Sequence, residues 1–171
     1  MTQAIDITIR EAAAPDAEAI ARIYNQGIEE RAATFETQPR TAYDIAIKLA
    51  ERERYPILVA TQGDAVIGWA GLSTYRPRAC YSGIAEFSIY LDRTARTRGI
   101  GRRLLNALVD TARERGYWKL VSRVFAFNAA SRALCRACGF REVGIYEKHG
   151  QLDGHWLDVV IVERLIAENI D

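Results

Sequence analysis

The segment Arg96-Thr97-Arg98-Gly99-Ile100-Gly101-Arg102-Arg103 joins a strand-like run, residues 83–91, to the strongest helical pattern in the chain. From Gly99 to Arg115 the residues Ile100, Leu104, Leu108 and Ala112 share one helical face, Arg102, Arg103, Asp110, Arg113 and Glu114 lie elsewhere, and Gly116 follows as a C-terminal cap. Strand, glycine loop and amphipathic helix in direct succession point to an α/β architecture. At a helix start the first backbone N–H groups are unpaired and the dipole is positive, and glycines let an anion approach the backbone closely. The loop is therefore a candidate cradle for a diphosphate, to which the arginines add charge; the alternative is a softened loop feeding a helix with a solvated basic face. Two familiar phosphate motifs fail here. A dinucleotide fingerprint needs a third glycine where Leu104 stands, and a P-loop needs Gly-Lys-Ser/Thr after four residues.

The remaining pattern fills in an ordered series of elements. Ile5, Ile7 and Ile9 alternate with polar residues, as a half-buried strand requires. Residues 17–30 carry Ala17, Ile20, Ile23, Tyr24 and Ile28 at helical spacing, and Thr41 with Asp44 forms a capping box ahead of a second helix ending near Arg54. PILVATQ and AVIGWAGLSTY flank the turn Gly63-Asp64 as a hairpin, and KLVSRVFAF, NAASRALCRAC, FREVGIYEKHG and HWLDVVIVERLI read as strand, short helix, strand and strand. The order β-α-α-β-β-β-α-β-α-β-β has no repeat and no linker-like break, so residues 1–171 are expected to form one domain.

Charge and cysteine usage narrow the function classes. With 23 basic against 22 acidic residues, the chain is too neutral for affinity built on neutralising many nucleic-acid phosphates. Three cysteines, an odd number in a chain long enough to bury a core, argue against a secreted disulfide framework and for reduced, intracellular thiols. No run approaches the roughly 18 apolar residues of a membrane helix, and the N-terminus lacks a long apolar signal region. A soluble, cytoplasmic protein is expected, without a nucleic-acid or membrane partner. Cys135-x-x-Cys138 closes a helix instead of opening one, and His149 and His155 are unsuitably spaced to complete a zinc site, so structural cysteines and no metal are expected.

Glu86 stands near the start of an otherwise apolar strand, where a buried carboxylate needs either a partner or a task. A salt bridge to a nearby arginine or a solvent-facing position would also satisfy it. Arg76 and Arg78, two residues apart just before that strand, can project to one side and grip an anion through their planar forks, or stand as solvated loop residues. Asn128 precedes a short helix, a common N-cap position. Phe35, Trp69, Tyr75, Tyr90 and Trp156 can line a pocket or fill the core.

Arg96-x-x-Gly99-x-Gly101 after a strand resembles the acetyl-CoA pyrophosphate motif of the GCN5-related N-acetyltransferases. The second half agrees: Asn128-x-x-Ser131-x-x-Leu134 and Gly139-Phe140 follow at matching spacing, and the element order is similar throughout. Within the family the chain is most similar to phosphinothricin, methionine sulfoximine and arsinothricin-type N-acetyltransferases. Ile23-Tyr24-Asn25, Ala33-Thr34-Phe35, Tyr75-Arg76-Pro77-Arg78 with Tyr81, residues 85–90, and Lys148 followed by Trp156-Leu157-Asp158 carry that closer match.

The resemblance implies a mixed, mostly antiparallel sheet flanked by helices, with acetyl-CoA entering where two central strands splay apart. It places the co-substrate on the backbone of Ile89, Tyr90 and Leu91, on the loop Arg96, Thr97, Arg98, Gly99, Ile100, Gly101 and Arg102, and beside Asn128, Ser131 and Cys135. It implies that Glu86 is the general base and that Phe35, Tyr75, Arg76, Arg78 and Lys148, the last contributed either in cis or across a dimer, contact a small amino-acid-like amine. The same resemblance implies a homodimer. Many family members carry Tyr where this chain has Cys135, which leaves the acid that protonates the departing thiolate open. Two other readings remain: an acceptor that is a protein N-terminus or a polyamine, and a non-catalytic acyl-CoA-binding sensor.

Overall fold

The computed structural model describes residues 6–170. Their strands and helices run β1 (Ile7–Glu11), α1 (Ala17–Glu30), α2 (Ala42–Ala50), β2 (Ile57–Gln62), β3 (Ala65–Thr74), β4 (Ile84–Leu91), α3 (Ile100–Glu114), β5 (Lys119–Phe125), α4 (Ala129–Ala137), β6 (Arg141–Leu152) and β7 (His155–Leu165). This is the predicted order; Ile5 of the expected first strand lies outside the described residues. α2 stops four residues before the predicted end at Arg54. Glu51 leaves helical geometry and residues 51–55 close as a turn, because Glu51-Arg52-Glu53-Arg54 offers no apolar face to continue the one made by Ile45 and Leu49, and Pro56 follows. The Thr41–Asp44 capping box is present in both directions.

The seven strands form one sheet in the order β1-β2-β3-β4-β5-β7-β6, antiparallel throughout except for β4 against β5. The run Ile57-Leu58-Val59-Ala60 in β2 is apolar at every position because both faces are covered. Leu58 and Ala60 join the α3 face with Leu104, Leu105 and Leu108, while Ile57 and Val59 join Ile20, Ile23, Ile45 and Leu49 of α1 and α2. A third cluster, Phe125, Leu152 and Val159, sits under Phe35.

β4 and β5 pair only over Ile84–Glu86 and Lys119–Val121, then diverge. The Ser122 hydroxyl donates to the Phe87 carbonyl at 2.9 Å at the point of separation. Beyond it, the β5-facing edge of residues 88–91 has no partner strand.

Candidate active site

Alternation along β4 sends Ala85 and Phe87 into the α3-side core and Glu86, Ser88 and Tyr90 to the opposite face. There the α1–α2 connection arches over them and leaves a cavity of about 520 Å³. Its walls include Tyr24, Phe35, Lys48, Trp69, Glu86, Ser88, Tyr90, Arg123, Phe125 and His149. The Phe35 ring meets Phe125 edge-on at 4.8 Å and lies against Gly150, where an added Cβ would come within 2.9 Å of it. Tyr90 stacks on Trp69 at 5.3 Å and meets Tyr24 edge-on at 4.9 Å. Helix α1 can pass this close only because residue 27 is glycine: a Cβ there would stand 2.7 Å from the Tyr90 ring.

Glu86 is not isolated. Arg123 of β5 donates from one Nη2 to both carboxylate oxygens at 3.1 Å, and about a quarter of the Glu86 side chain stays exposed. An accessible, oriented carboxylate facing a cavity is suited to accept a proton from a bound amine.

The cavity opens into a narrower cleft of about 80 Å³ where β4 and β5 part. Ile89, Asn128, Ser131, Leu134 and Cys135 line it, and seven further residues, Ser88, Tyr90 and Ser122 among them, are shared with the cavity. Asn128 is the expected N-cap of α4, accepting from the Ser131 amide at 3.1 Å. Its own amide donates to the Ala32 carbonyl at 2.9 Å, tying the α1–α2 connection to the cleft.

At the end of β4 the chain turns through Thr97 at φ 63° and Gly99 at φ 74° before α3 begins at Ile100. Left-handed residues so close together, here at the N-terminus of a 15-residue helix, are the kind of turn that can present backbone N–H groups to an anion. Gly99 is required by its φ; Gly101 lets α3 pack on α4, since a Cβ would approach Leu134 to 3.3 Å. The loop, the cleft and the unpartnered β4 edge are continuous along the chain, and together fit a long diphosphate-bearing ligand whose thin arm runs between the strands.

Not every candidate joins the site. Arg76 and Arg78 are exposed in the β3–β4 connection, where Arg76 lies over the Tyr75 ring at 5.2 Å and Tyr75 packs on Tyr81; none of these lines the cavity. Lys148 sits in a β6 bulge at φ 46°, its amide donating to the Asp158 carboxylate at 2.8 Å, and the bulge delivers His149 and Gly150 to the cavity instead. Arg96 is paired with Glu30 at 2.8 Å, and Arg98 and Arg102 are exposed. Residues the sequence reasoning missed are Lys48, Ser88, Arg123 and His149. Strand alternation from Glu86 points to Ser88, but no local pattern marks Lys48 or Arg123.

Cys135 and Cys138 are free and buried, and among the described residues no cluster of three metal-ligating side chains exists. Burial pushes the Cys135 thiol up to about 12, so it faces the cleft as a neutral, unreactive group. A broad trough of about 830 Å³ beside α1 is larger than the cavity, but most of its charges are already paired: Asp92 with Arg22, Glu29 with Arg93, and Arg40 with Glu36 outside it. No helix among the described residues is long and apolar enough to cross a membrane.

Comparison with known proteins agrees with this geometry. The Acetyltransferase (GNAT) domain family matches residues 9–161. An L-methionine sulfoximine/L-methionine sulfone acetyltransferase of Pseudomonas aeruginosa is 34% identical over 91% of this chain and 92% of its own. The crystal structure of a phosphinothricin acetyltransferase from Sinorhizobium meliloti in complex with AcCoA superposes with a TM-score of 0.87 and 34% identity, covering 93% of this chain and 88% of the other. A ribosomal-protein-alanine N-acetyltransferase from Brucella melitensis superposes with a TM-score of 0.89 and 35% identity over 93% and 99% of the two chains. With the splayed strands, the diphosphate-type loop and the carboxylate-bearing cavity all in place, the chain belongs to the GNAT family of acetyltransferases.

Proposed function

We propose that this protein transfers acetyl from acetyl-CoA to the amino group of a small amino-acid analogue of the phosphinothricin or methionine sulfoximine type, in one catalytic domain of residues 1–171. The observation that carries this reading is the continuity of the cleft between β4 and β5 with a cavity presenting Glu86. The names of the relatives above support the acceptor class.

Acetyl-CoA, when bound, supplies an activated acetyl thioester. The loop at Arg96–Arg102 holds the diphosphate, and the free edge of Ile89, Tyr90 and Leu91 holds the amide-bearing arm as an added strand would. Asn128 and Ser131 flank that arm. Glu86 accepts the proton of the acceptor's ammonium so that the amine can attack, and N–H groups of the β4 edge polarise the carbonyl. Arg123 orients Glu86 through its two contacts. Phe35 closes the cavity over the acceptor. Arg76 and Arg78, without carboxylate partners among the described residues, meet a distal acidic group of the acceptor from outside the cavity in this reading, together with Tyr75 and Lys148. Cys135 holds its proton more tightly than an ordinary thiol, near 8.5, so it is a poor donor to a departing thiolate and solvent serves instead.

Three free cysteines fit a reducing, cytoplasmic setting. The long edge strand β6 exposes Val143, Ile145 and Tyr146, and Trp156 stands exposed on β7 beside it, an apolar surface suited to a second copy in a homodimer.

The test is thiol release from acetyl-CoA with amino-acid analogues, polyamines and N-terminal peptides as acceptors. Glu86→Gln is expected to lower kcat on the analogues by about 10²–10⁴-fold while acetyl-CoA still binds. Preference for peptides or polyamines would refute the acceptor class, and a fully active Glu86→Gln would refute the base.

A further inference from the structure

The cavity contains a cation that makes no ion pair among the described residues. Two full cations line it, Lys48 and Arg123. Arg123 is committed to Glu86. Lys48, in the last turn of α2, makes no ion pair among the described residues, and the two acids whose charge acts on it are engaged elsewhere: Glu36 with Arg40 at 3.0 Å, Asp44 with the Thr41 amide and hydroxyl at 2.7 and 2.9 Å.

Its position is equally particular. A side pocket of about 170 Å³ adjoins the cavity, lined by Glu51, Tyr55, Gly71, Ser73 and Thr74, and the two spaces share three residues: Lys48, Trp69 and Ser88. Glu51, three residues beyond Lys48, lies on the side-pocket wall away from the cavity and makes no ion pair with Lys48. Trp69 is buried, and its indole N–H has no acceptor in the structure. The shared wall thus brings together an unpaired ammonium, a serine hydroxyl and a residue with an unsatisfied donor, with no carboxylate among the three. Surrounding protein and the nearby Arg40 charge lower the Lys48 amine, with Glu36 and Asp44 acting the other way.

We infer that Lys48 receives the α-carboxylate of the acceptor at the junction of the cavity and the side pocket, and so makes the enzyme select α-amino acids over simple amines. This rests on the amino-acid acceptor proposed above and gives Lys48 a task separate from that of Arg76 and Arg78, which lie outside this cavity. A carboxylate held there keeps the adjacent amino group in the space that Glu86 faces, and Ser88, two residues along the same strand face, lies between the two functions. Lys48 is a specificity determinant and takes no part in proton transfer.

The experiment compares methionine sulfoximine or phosphinothricin with its α-carboxamide as acceptors for the wild type, Lys48→Gln and Lys48→Arg, using thiol release. The expected result for Lys48→Gln is a KM for the free acid raised about 10- to 100-fold, the range of a lost charge-assisted bond. KM for the carboxamide should move less than about 3-fold, and KM for acetyl-CoA should not change. Lys48→Arg should restore most of the preference for the acid. Taking the acid-to-amide ratio within each protein cancels the amide's effect on the basicity of the amine. If the wild type prefers the acid and Lys48→Gln keeps that preference, the Lys48 assignment is overturned and the acceptor class stands. If the wild type turns over no amino-acid analogue, or favours peptides or polyamines, both fall. Since Lys48 is exposed and α2 keeps its buried residues Ile45 and Leu49, melting temperatures of the variants should match the wild type.

Discussion

Replacing Gly27 by Ala sets two effects against each other, and the structure decides which wins. Glycine inside a helix costs about 1 kcal/mol relative to alanine, so at an open site the change would stabilise α1. Here the new Cβ would lie 2.7 and 2.8 Å from two carbons of the Tyr90 ring. The ring cannot swing away freely, since Trp69 stacks on it and Tyr24 abuts it. Overpacking of this kind costs about 1–3 kcal/mol, leaving a net loss of about 0–2 kcal/mol and, for a chain of this size, a Tm lowered by up to about 8 °C. Because Tyr90 lines both the cleft and the cavity, its displacement should also raise the acceptor KM several-fold. Thermal melts and steady-state kinetics read both effects. The same substitution in a Tyr90→Ala background should instead stabilise relative to that background by about 1 kcal/mol, so the cycle yields a coupling of about 1–3 kcal/mol. A Gly27→Ala protein that melts about 2–4 °C higher than wild type with unchanged kinetics would show that Tyr90 is not a fixed wall.

Three further outcomes follow from other parts of the molecule. Gly99→Val forces a β-branched residue to φ 74°, a strain of about 1–2 kcal/mol, so acetyl-CoA affinity measured by calorimetry should fall about 5- to 30-fold with the fold retained; unchanged affinity would remove the loop from the binding site. Asp92 is buried; desolvation works to raise its carboxyl, but Thr94, Arg22 and Gln26 together hold it well below the usual range. A lowered folded-state value means that its stabilisation is present above pH 4, the unfolded value, and is lost as pH falls below that. Asp92→Asn should therefore cost about 2 kcal/mol at neutral pH, with the gap in Tm to wild type closing in acid; a gap independent of pH would refute the network's role. Ile145→Glu should convert a dimer to a monomer in sedimentation, and a monomeric wild type would refute the β6 interface.

What was legible in the sequence was what is encoded locally. The apolar face of α3 and the Thr41 and Asn128 caps each rest on residues of a single helix and its cap, and all are found where predicted. Glu86 was marked by a charge in an apolar strand, but its partner was not, because Arg123 reaches it through the pairing of β4 with β5, strands separated in sequence by α3. Lys48 sits beside Ile45 and Leu49 on a short helix, and only the arch of the α1–α2 connection turns it toward a cavity. The β6 bulge is likewise a tertiary outcome: Lys148 adopts a left-handed conformation that its side chain does not favour, and the Asp158 carboxylate holds it there. Arg76 and Arg78 were correctly placed before β4, but an extended spacing says nothing about which way the connection turns.

The brevity of the β4–β5 ladder has a consequence for how the fold is held together. Among the described residues, three register pairs are the whole β4–β5 ladder that links the β1–β4 half of the sheet to the β5–β7 half; the rest of the junction relies on side chains, including Ser122 on the Phe87 carbonyl, Arg123 on Glu86 and the apolar residues of α3. A ligand seated along the open edge of β4 would supply the missing rungs, making the substrate a temporary structural member of the sheet. Stability should then track co-substrate supply, with a gain of about 2.7 kcal/mol at a free concentration of 100 Kd, and the amides of residues 88–91 should be where hydrogen exchange slows most on loading. A cell short of acetyl-CoA would hold this protein in its least durable form.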